Sequence, residues 1–202
     1  YDAMKQAGQI FESLGAQVEQ VPFPNAREAA MANGLMTASD AAAFHHQRMV
    51  DNPHRFGKDV LERLQTGAAY TATEYSQARR TQTILRRQFN EFLEGFDLLL
   101  TPTTPISAPE RGSADPIERA RLLTRFTAPF NLTGLPAVSV PCGWTRRKMP
   151  IGLQIIGRAW AEKKLLWAGE LYEQARSFGV PLASLHRSPP PQQRRRNPSP
   201  PS

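Results

Sequence analysis

Three short apolar runs constrain this chain more than any other feature. They are Leu98-Leu99-Leu100-Thr101, Ala137-Val138-Ser139-Val140 and Leu153-Gln154-Ile155-Ile156. Pro102 closes the first, Pro136 and Pro141 bracket the second, and Gly152 and Gly157 bracket the third. Each run is too short for a helix, and the first and third are nearly unbroken in hydrophobicity. That pattern predicts strands buried on both faces of one sheet.

Most of the chain before residue 98 reads as helix. Met4, Ala7, Phe11 and Leu14 recur at helical spacing, with Gly15 placed to cap them. Gln17–Val21 is predicted as a short strand, ended by Pro22 and Pro24. Asn25 with Glu28 has the form of a capping box that starts a long helix through about Val50. A shorter helix is expected over 56–65, ended by Gly67. Thr71 with Glu74 is a second capping box. The helix it starts carries a stripe of Tyr75, Ala78, Leu85, Phe89, Phe92 and Phe96, read as core packing. Asp115 and Pro116 are placed to start a helix through about Phe126. Asn131–Pro136 turns into the second strand, and Thr145–Lys148 reads as a hairpin or surface loop. The last helix is expected over 162–178, with Leu165, Leu166, Ala168, Leu171, Tyr172 and Ala175 on its apolar side and Gly179 after it. The fold class expected is α/β, with helices covering a mixed sheet.

Composition narrows the function classes. The chain has 202 residues, 40% of them hydrophobic, and no run near the length of a membrane span. Its one cysteine permits no internal disulfide and suits a reducing, cytoplasmic setting. The first residue is Tyr1, which is read as a cut or omitted N-terminus. The net charge of +7 is uneven. Residues 187–202 hold four arginines and no acid, so subtracting those four leaves +3 on residues 1–186. Arg79-Arg80, Arg86-Arg87 and Arg146-Arg147-Lys148 are scattered and lack interleaved aromatics, so neither nucleic acid nor membrane is expected as a partner. The Pro- and Arg-rich segment 187–202 cannot build a core and is expected to be a disordered tail.

Chemistry is sparse in the residues themselves. Cys142 lies between Pro141 and Gly143 with no histidine marked as its base, so an inert buried thiol is the better reading than a nucleophile. His45 and His46 are adjacent on a helix and point about 100° apart, not at a metal-sharing spacing. No paired carboxylates stand at the strand ends. There is no G-x-S-x-G elbow and no Gly-rich phosphate loop. No metal and no cofactor is expected.

The runs Asp97–Thr104 and Gly152–Gly157, with Leu14–Val18, Phe56–Leu64 and Tyr75–Ala78, closely resemble the C-terminal part of amidase-signature enzymes. The resemblance covers roughly residues 1–180 and implies that residues 1–186 are the C-terminal portion of an α/β/α amidase domain. Such enzymes hydrolyse carboxamide C–N bonds with a serine nucleophile, a second serine in a cis peptide, a lysine base and a backbone oxyanion hole. Those groups belong to the family's N-terminal part. This chain has no Gly-Gly pair, and Lys5, Lys58, Lys148, Lys163 and Lys164 stand in no matching context. No catalytic residue is therefore carried over, and the chain alone is expected to be inactive.

What the resemblance does imply is a wall of the acyl-substrate pocket. It assigns Arg121, Thr124 and Ala128 to that wall, with Ala43, beside Phe44, opposite them. The tRNA-dependent branch of the family places an arginine at the Ala43 position and an aspartate at the Thr124 position. Their replacement here favours a general amidase with an apolar or small substrate over one that holds free glutamine. Two alternatives stay open: a non-catalytic truncated remnant or partner-binding fragment, and the A subunit of a tRNA-dependent amidotransferase. A second copy of the chain is a candidate partner.

Overall fold

The computed structural model describes residues 2–110 and 116–176. The expected Asp115 cap, Gly179 and the tail fall outside them. Helix α1 (Asp2–Ser13) is followed by α2 (Ala26–Asp51), a 3₁₀ turn at Pro53–Arg55, α3 (Lys58–Ala69) and α4 (Ala72–Glu94). Strand β1 (Leu99–Pro102) comes next, then α5 (Pro116–Thr124) and α6 (Ala128–Thr133). The hairpin β2 (Ala137–Trp144) and β3 (Pro150–Ile156) leads into α7 (Glu162–Ala175).

The three apolar runs do form one sheet. Its order is β1-β3-β2, and every pairing among the described strands is antiparallel. The central strand is the most buried: Leu153, Gln154, Ile155 and Ile156 are all covered. Successive side chains point to opposite faces, so the strands feed two separate cores. Leu153, Ile155, Val140 and Cys142 join Ala7 and Phe11 of α1 and Leu165, Ala168 and Tyr172 of α7. Ile156 joins Phe89 and Leu93 of α4, Phe130 and Leu132 of α6, and Ala29, Ala32 and Met36 of α2. Helices on both faces of a sheet give the α/β layering read from sequence.

Several local expectations change. Gln17–Val21 joins no strand among the described residues. Gln17 to Gln20 are exposed, and a strand forms only where a neighbour completes its ladder. Asn25 does not cap α2. It sits in the left-handed region (φ 51°) and makes no capping bond; its amide instead donates to Gln88 Oε1 at 2.7 Å. Gly67 does not end α3. It lies inside the helix because a Cβ there would collide with the Ala38 carbonyl of α2 and stand 3.2 Å from Ala42 Cβ. Phe56 precedes α3, which starts after Gly57, and Phe96 lies just past α4, its ring 5.1 Å from that of Phe92. The turn expected from Asn131 is still helical through Thr133, and Gly134 (φ 74°) ends α6. Leu166 and Ala175 are exposed rather than on the buried side of α7.

Other signals hold as read. Thr71 and Glu74 form the full capping box of α4. Thr145 N–H donates to Met149 O at 2.8 Å, and Lys148 N–H to Thr145 O at 2.8 Å, closing the hairpin.

Candidate site on the sheet face beside α5 and α6

The sheet face that carries Ile156 turns polar toward its other end. Thr101, Gln154 and Ser139 stand in one row across β1, β3 and β2. Gln154 is 3% exposed. Its side-chain amide donates to Thr101 Oγ1 at 2.9 Å and to Phe126 O at 3.1 Å. Phe126 lies in the turn between α5 and α6, so one side chain of the central strand ties that turn to the sheet. One step further, Thr103 and Ser139 share a hydrogen bond of 2.6 Å between hydroxyls. The strand between them carries Gly152, where a Cβ would stand 2.6 Å from Thr103 Oγ1 and 3.0 Å from Ser139 Oγ. Ser139 is exposed and Thr103 half-buried, so this row of hydroxyls faces outward.

The four residues assigned to the pocket wall are distributed over three helices. Arg121 and Thr124 are exposed on the last turn of α5. Arg121 pairs with Glu118 at 3.7 Å. The Thr124 hydroxyl is turned back onto its own helix, donating to Ala120 O at 2.9 Å. Ala128 opens α6 and is 4% exposed, so it lies beneath the surface rather than on it. Ala43 is exposed on α2, next to Phe44, which is 80% exposed. The Gln154–Phe126 bond brings the α5–α6 junction to the polar sheet face, while Ala43 belongs to a different helix, α2.

Sequence reasoning does not single out Thr101, Thr103, Ser139, Gly152 and Gln154 as site residues. A signal is present all the same: polar or side-chain-free positions recur every second residue within otherwise apolar runs.

The candidates for nucleophile and metal ligand are placed as follows. Cys142 is 1% exposed on the opposite sheet face, and burial pushes its thiol pKa up, which disfavours the reactive thiolate. Nearby Tyr172 is fully buried, and its hydroxyl has no hydrogen-bond partner among the described residues. Burial, with the Cys142 thiol adding to it, raises its pKa to about 12. His45 lies between the rings of Phe44 and Phe56, at 4.9 and 5.6 Å, while His46 faces solvent. Among the described residues no group of three His, Cys, Asp or Glu is gathered around one point. Among them, too, no helix is long and apolar enough to cross a membrane.

This arrangement has relatives. The A subunit of glutamyl-tRNA(Gln) amidotransferase from Brevibacillus brevis is 34% identical over 203 aligned residues, covering 88% of this chain and 41% of the relative. Its counterpart from Cereibacter sphaeroides is 42% identical over 132 residues, covering 61% of this chain and 27% of the relative. Among solved structures, an amidase superposes with a TM-score of 0.77 at 27% identity, over 86% of this chain and 41% of that one. The corresponding glutamyl-tRNA(Gln) amidotransferase chain of Thermotoga maritima superposes with a TM-score of 0.70 at 29% identity, over 89% and 39%. The chain thus spans about two fifths of the length of the relatives it matches. The sequence model of the amidase family matches residues 2–166, and on that match the chain belongs to the amidase family.

Proposed function

We propose that this chain forms one wall and part of the floor of an acyl-substrate pocket in an enzyme that hydrolyses carboxamide C–N bonds. The observation that carries the reading is the Gln154 bridge, which holds the α5–α6 turn against a hydroxyl-bearing sheet face. In this reading Arg121 and Thr124 face the substrate, Ala128 backs them, and Ala43 with Phe44 stands on the far side. The floor presents the Thr103 and Ser139 hydroxyls, groups that can both donate to a carbonyl oxygen and accept from an amide N–H. The serine nucleophile, the cis-serine and the lysine base come from segments other than these 202 residues. The chain by itself then binds and orients, and bond cleavage requires the remainder of the fold. The buried lone thiol suits work in the cytoplasm. The edge strands β1 and β2 offer backbone groups to the rest of the fold or to a second copy of the chain.

A second reading, the amide-cleaving component of a tRNA-dependent amidotransferase, is supported by the curated relatives named above. Against it, Ala43 and Thr124 place no charge where free glutamine would need an arginine and an aspartate. One assay separates the readings. The chain is mixed with the separately expressed N-terminal part of an amidase relative, and ammonia or amine release is followed from simple aliphatic and aryl amides and from glutamine. Release from simple amides only in the mixture supports the proposal. Preference for glutamine favours the amidotransferase. Release by the isolated chain overturns both. No release from a mixture whose two parts associate favours a non-catalytic remnant.

A further inference from the structure

The outer side of α7 carries a stripe that neither sheet core uses. Leu165, Ala168, Gly169 and Tyr172 are buried on the inner side. Lys163, Leu166, Trp167 and Glu170 are exposed. At about 100° of turn per residue they fall within an arc of roughly 100°, diametrically opposite the buried four. Leu166 is 66% exposed and Trp167 60%. Trp160, just before the helix, is 92% exposed. It is held in the left-handed region, at φ 67°, a conformation that a bulky residue rarely adopts. With Trp167 it walls a shallow cavity of about 420 Å³, rimmed by Lys163 and Lys164. Apolar surface gathered outside the core in this way marks a site of association.

The charges on the stripe select the partner. Lys164 is engaged within the chain by Asp97 at 2.6 Å, so Lys163 is the cation that the stripe itself presents. Glu170 accepts from Gln174 Nε2 at 3.2 Å, and a carboxylate has room for further donors. Lys163 and Glu170 lie two turns, about 10.5 Å, apart along the helix, with Leu166 and Trp167 between them. A surface with an apolar centre and opposite charges at its two ends is complementary to itself when turned end for end. We infer that α7 pairs with α7 of a second copy of this chain, antiparallel about a two-fold axis between Leu166 and Trp167. Each Lys163 then meets Glu170 of the other copy, and each Leu166 packs on the other copy's Trp167. A parallel pairing would set lysine on lysine and glutamate on glutamate. Exposed ion pairs contribute little to affinity, so they fix direction and register while the indoles supply the attraction. At about 150–250 Å² per aromatic side chain, the two indoles can cover roughly 300–400 Å² per copy. A standard interface covers about 800 Å² per partner, so the dimer is weak and concentration-dependent.

The test is sedimentation equilibrium of the full chain from micromolar to millimolar concentration. The variants are Trp167→Ala, Lys163→Glu and Glu170→Lys, each alone, and the two charge variants mixed. All three positions are exposed, and circular dichroism checks that helix content is kept. The parent should dimerise, and Trp167→Ala should weaken the association constant about tenfold or more, as loss of a central anchor does. Lys163→Glu and Glu170→Lys should each weaken it roughly three- to tenfold, because both cross-pairs become like-charged. The mixture of the two should associate at least as tightly as the parent, since one copy then carries glutamate and the other lysine at both ends. A parent chain that stays monomeric at millimolar concentration overturns the inference. So does a dimer indifferent to Trp167→Ala and to both charge variants, which would place self-association at the sheet edges. A dimer that dissociates when the separately expressed N-terminal part of an amidase relative is added overturns it too, and gives the stripe to the rest of the fold.

Discussion

Thr103 Oγ1 and Ser139 Oγ lie 2.6 Å apart across a strand that has no side chain between them. Gly152 makes this contact possible, because any Cβ there would stand 2.6 Å from Thr103 Oγ1 and 3.0 Å from Thr103 Cβ. Gly152→Ala should therefore break the hydroxyl pair and cost about 1–3 kcal/mol as an overpacked site. Urea unfolding checks the loss. The companion Gly152→Ala/Thr103→Gly should recover most of it, and failure to recover would mean that the clash is not with Thr103.

Gln154 is the buried polar group in an otherwise apolar strand, and both of its donor protons are used. Replacing it with Leu leaves the Phe126 carbonyl without this donor. The expected cost is about 1–3 kcal/mol, the range for an abandoned buried partner. Gln154→Leu should also loosen the α5–α6 turn locally. Hydrogen exchange at the Thr127 and Asn131 amides should accelerate more than at Leu153 or Ile155. Uniform acceleration would show that Gln154 supports the whole sheet and not the turn.

Much of the fold was legible in the sequence, and the failures share a physical cause. The run at 153–156 declares itself because a strand buried on both faces must be apolar at nearly every position, whereas burial on both faces does not extend to the outer strands: β1 is half-buried throughout, and Ala137 and Ser139 of β2 are exposed. The Thr71–Glu74 cap was legible because both partners are local. Asn25 and Gly67 misled because their roles are set by distant residues, Gln88 in one case and Ala38 in the other. Gln17–Val21 has strand character, but strand formation depends on a neighbour. The site was the least legible part. Thr101, Thr103, Ser139 and Gln154 meet only when three strands are set in register, and Gln154 inside an apolar run looks like an interruption rather than a brace. Arg158 is similar: its guanidinium donates to the Leu93, Glu94 and Phe96 carbonyls at the end of α4, a C-terminal cap from more than sixty residues away in sequence.

Two glycines on neighbouring helices should respond to the same substitution with opposite signs. Gly67 of α3 lies directly on the Ala38 backbone of α2. Gly67→Ala should force the two helices apart at a cost of about 3 kcal/mol, the upper end for overpacking against backbone that cannot rotate away. Gly34 of α2 has nothing within 4 Å of its Cβ position. Gly34→Ala should stabilise by about 0.5–1 kcal/mol through helix propensity alone. Denaturation midpoints of the two variants against the parent chain decide the point, and a shift of the same sign in both would refute the packing account of Gly67.

Acid should weaken the start of α4 before the cores. The Thr71 backbone N–H, 2.7 Å from Glu74 Oε2, is the main cause that holds the Glu74 carboxyl below its ordinary value, and the Thr71 hydroxyl adds to it. A folded pKa below the unfolded one means that the folded chain holds its proton less tightly. The contribution to stability is then complete above the ordinary carboxylate range and is lost as pH falls through the depressed folded value. Asp97, lowered by its bond to Lys164 and by that ammonium's charge, acts with the same sign. Denaturation midpoints taken from neutral pH to well below the carboxylate range should fall in the parent chain. Glu74→Gln and Asp97→Asn should each flatten part of that fall, and the double variant should flatten more. Because Glu74 is held mainly by a hydrogen bond, salt should weaken its effect only slightly. The Asp97–Lys164 share should shrink markedly as added salt screens an exposed ion pair. Equal salt sensitivity in the two single variants would show that charge, and not the capping geometry at Thr71, sets the behaviour of Glu74.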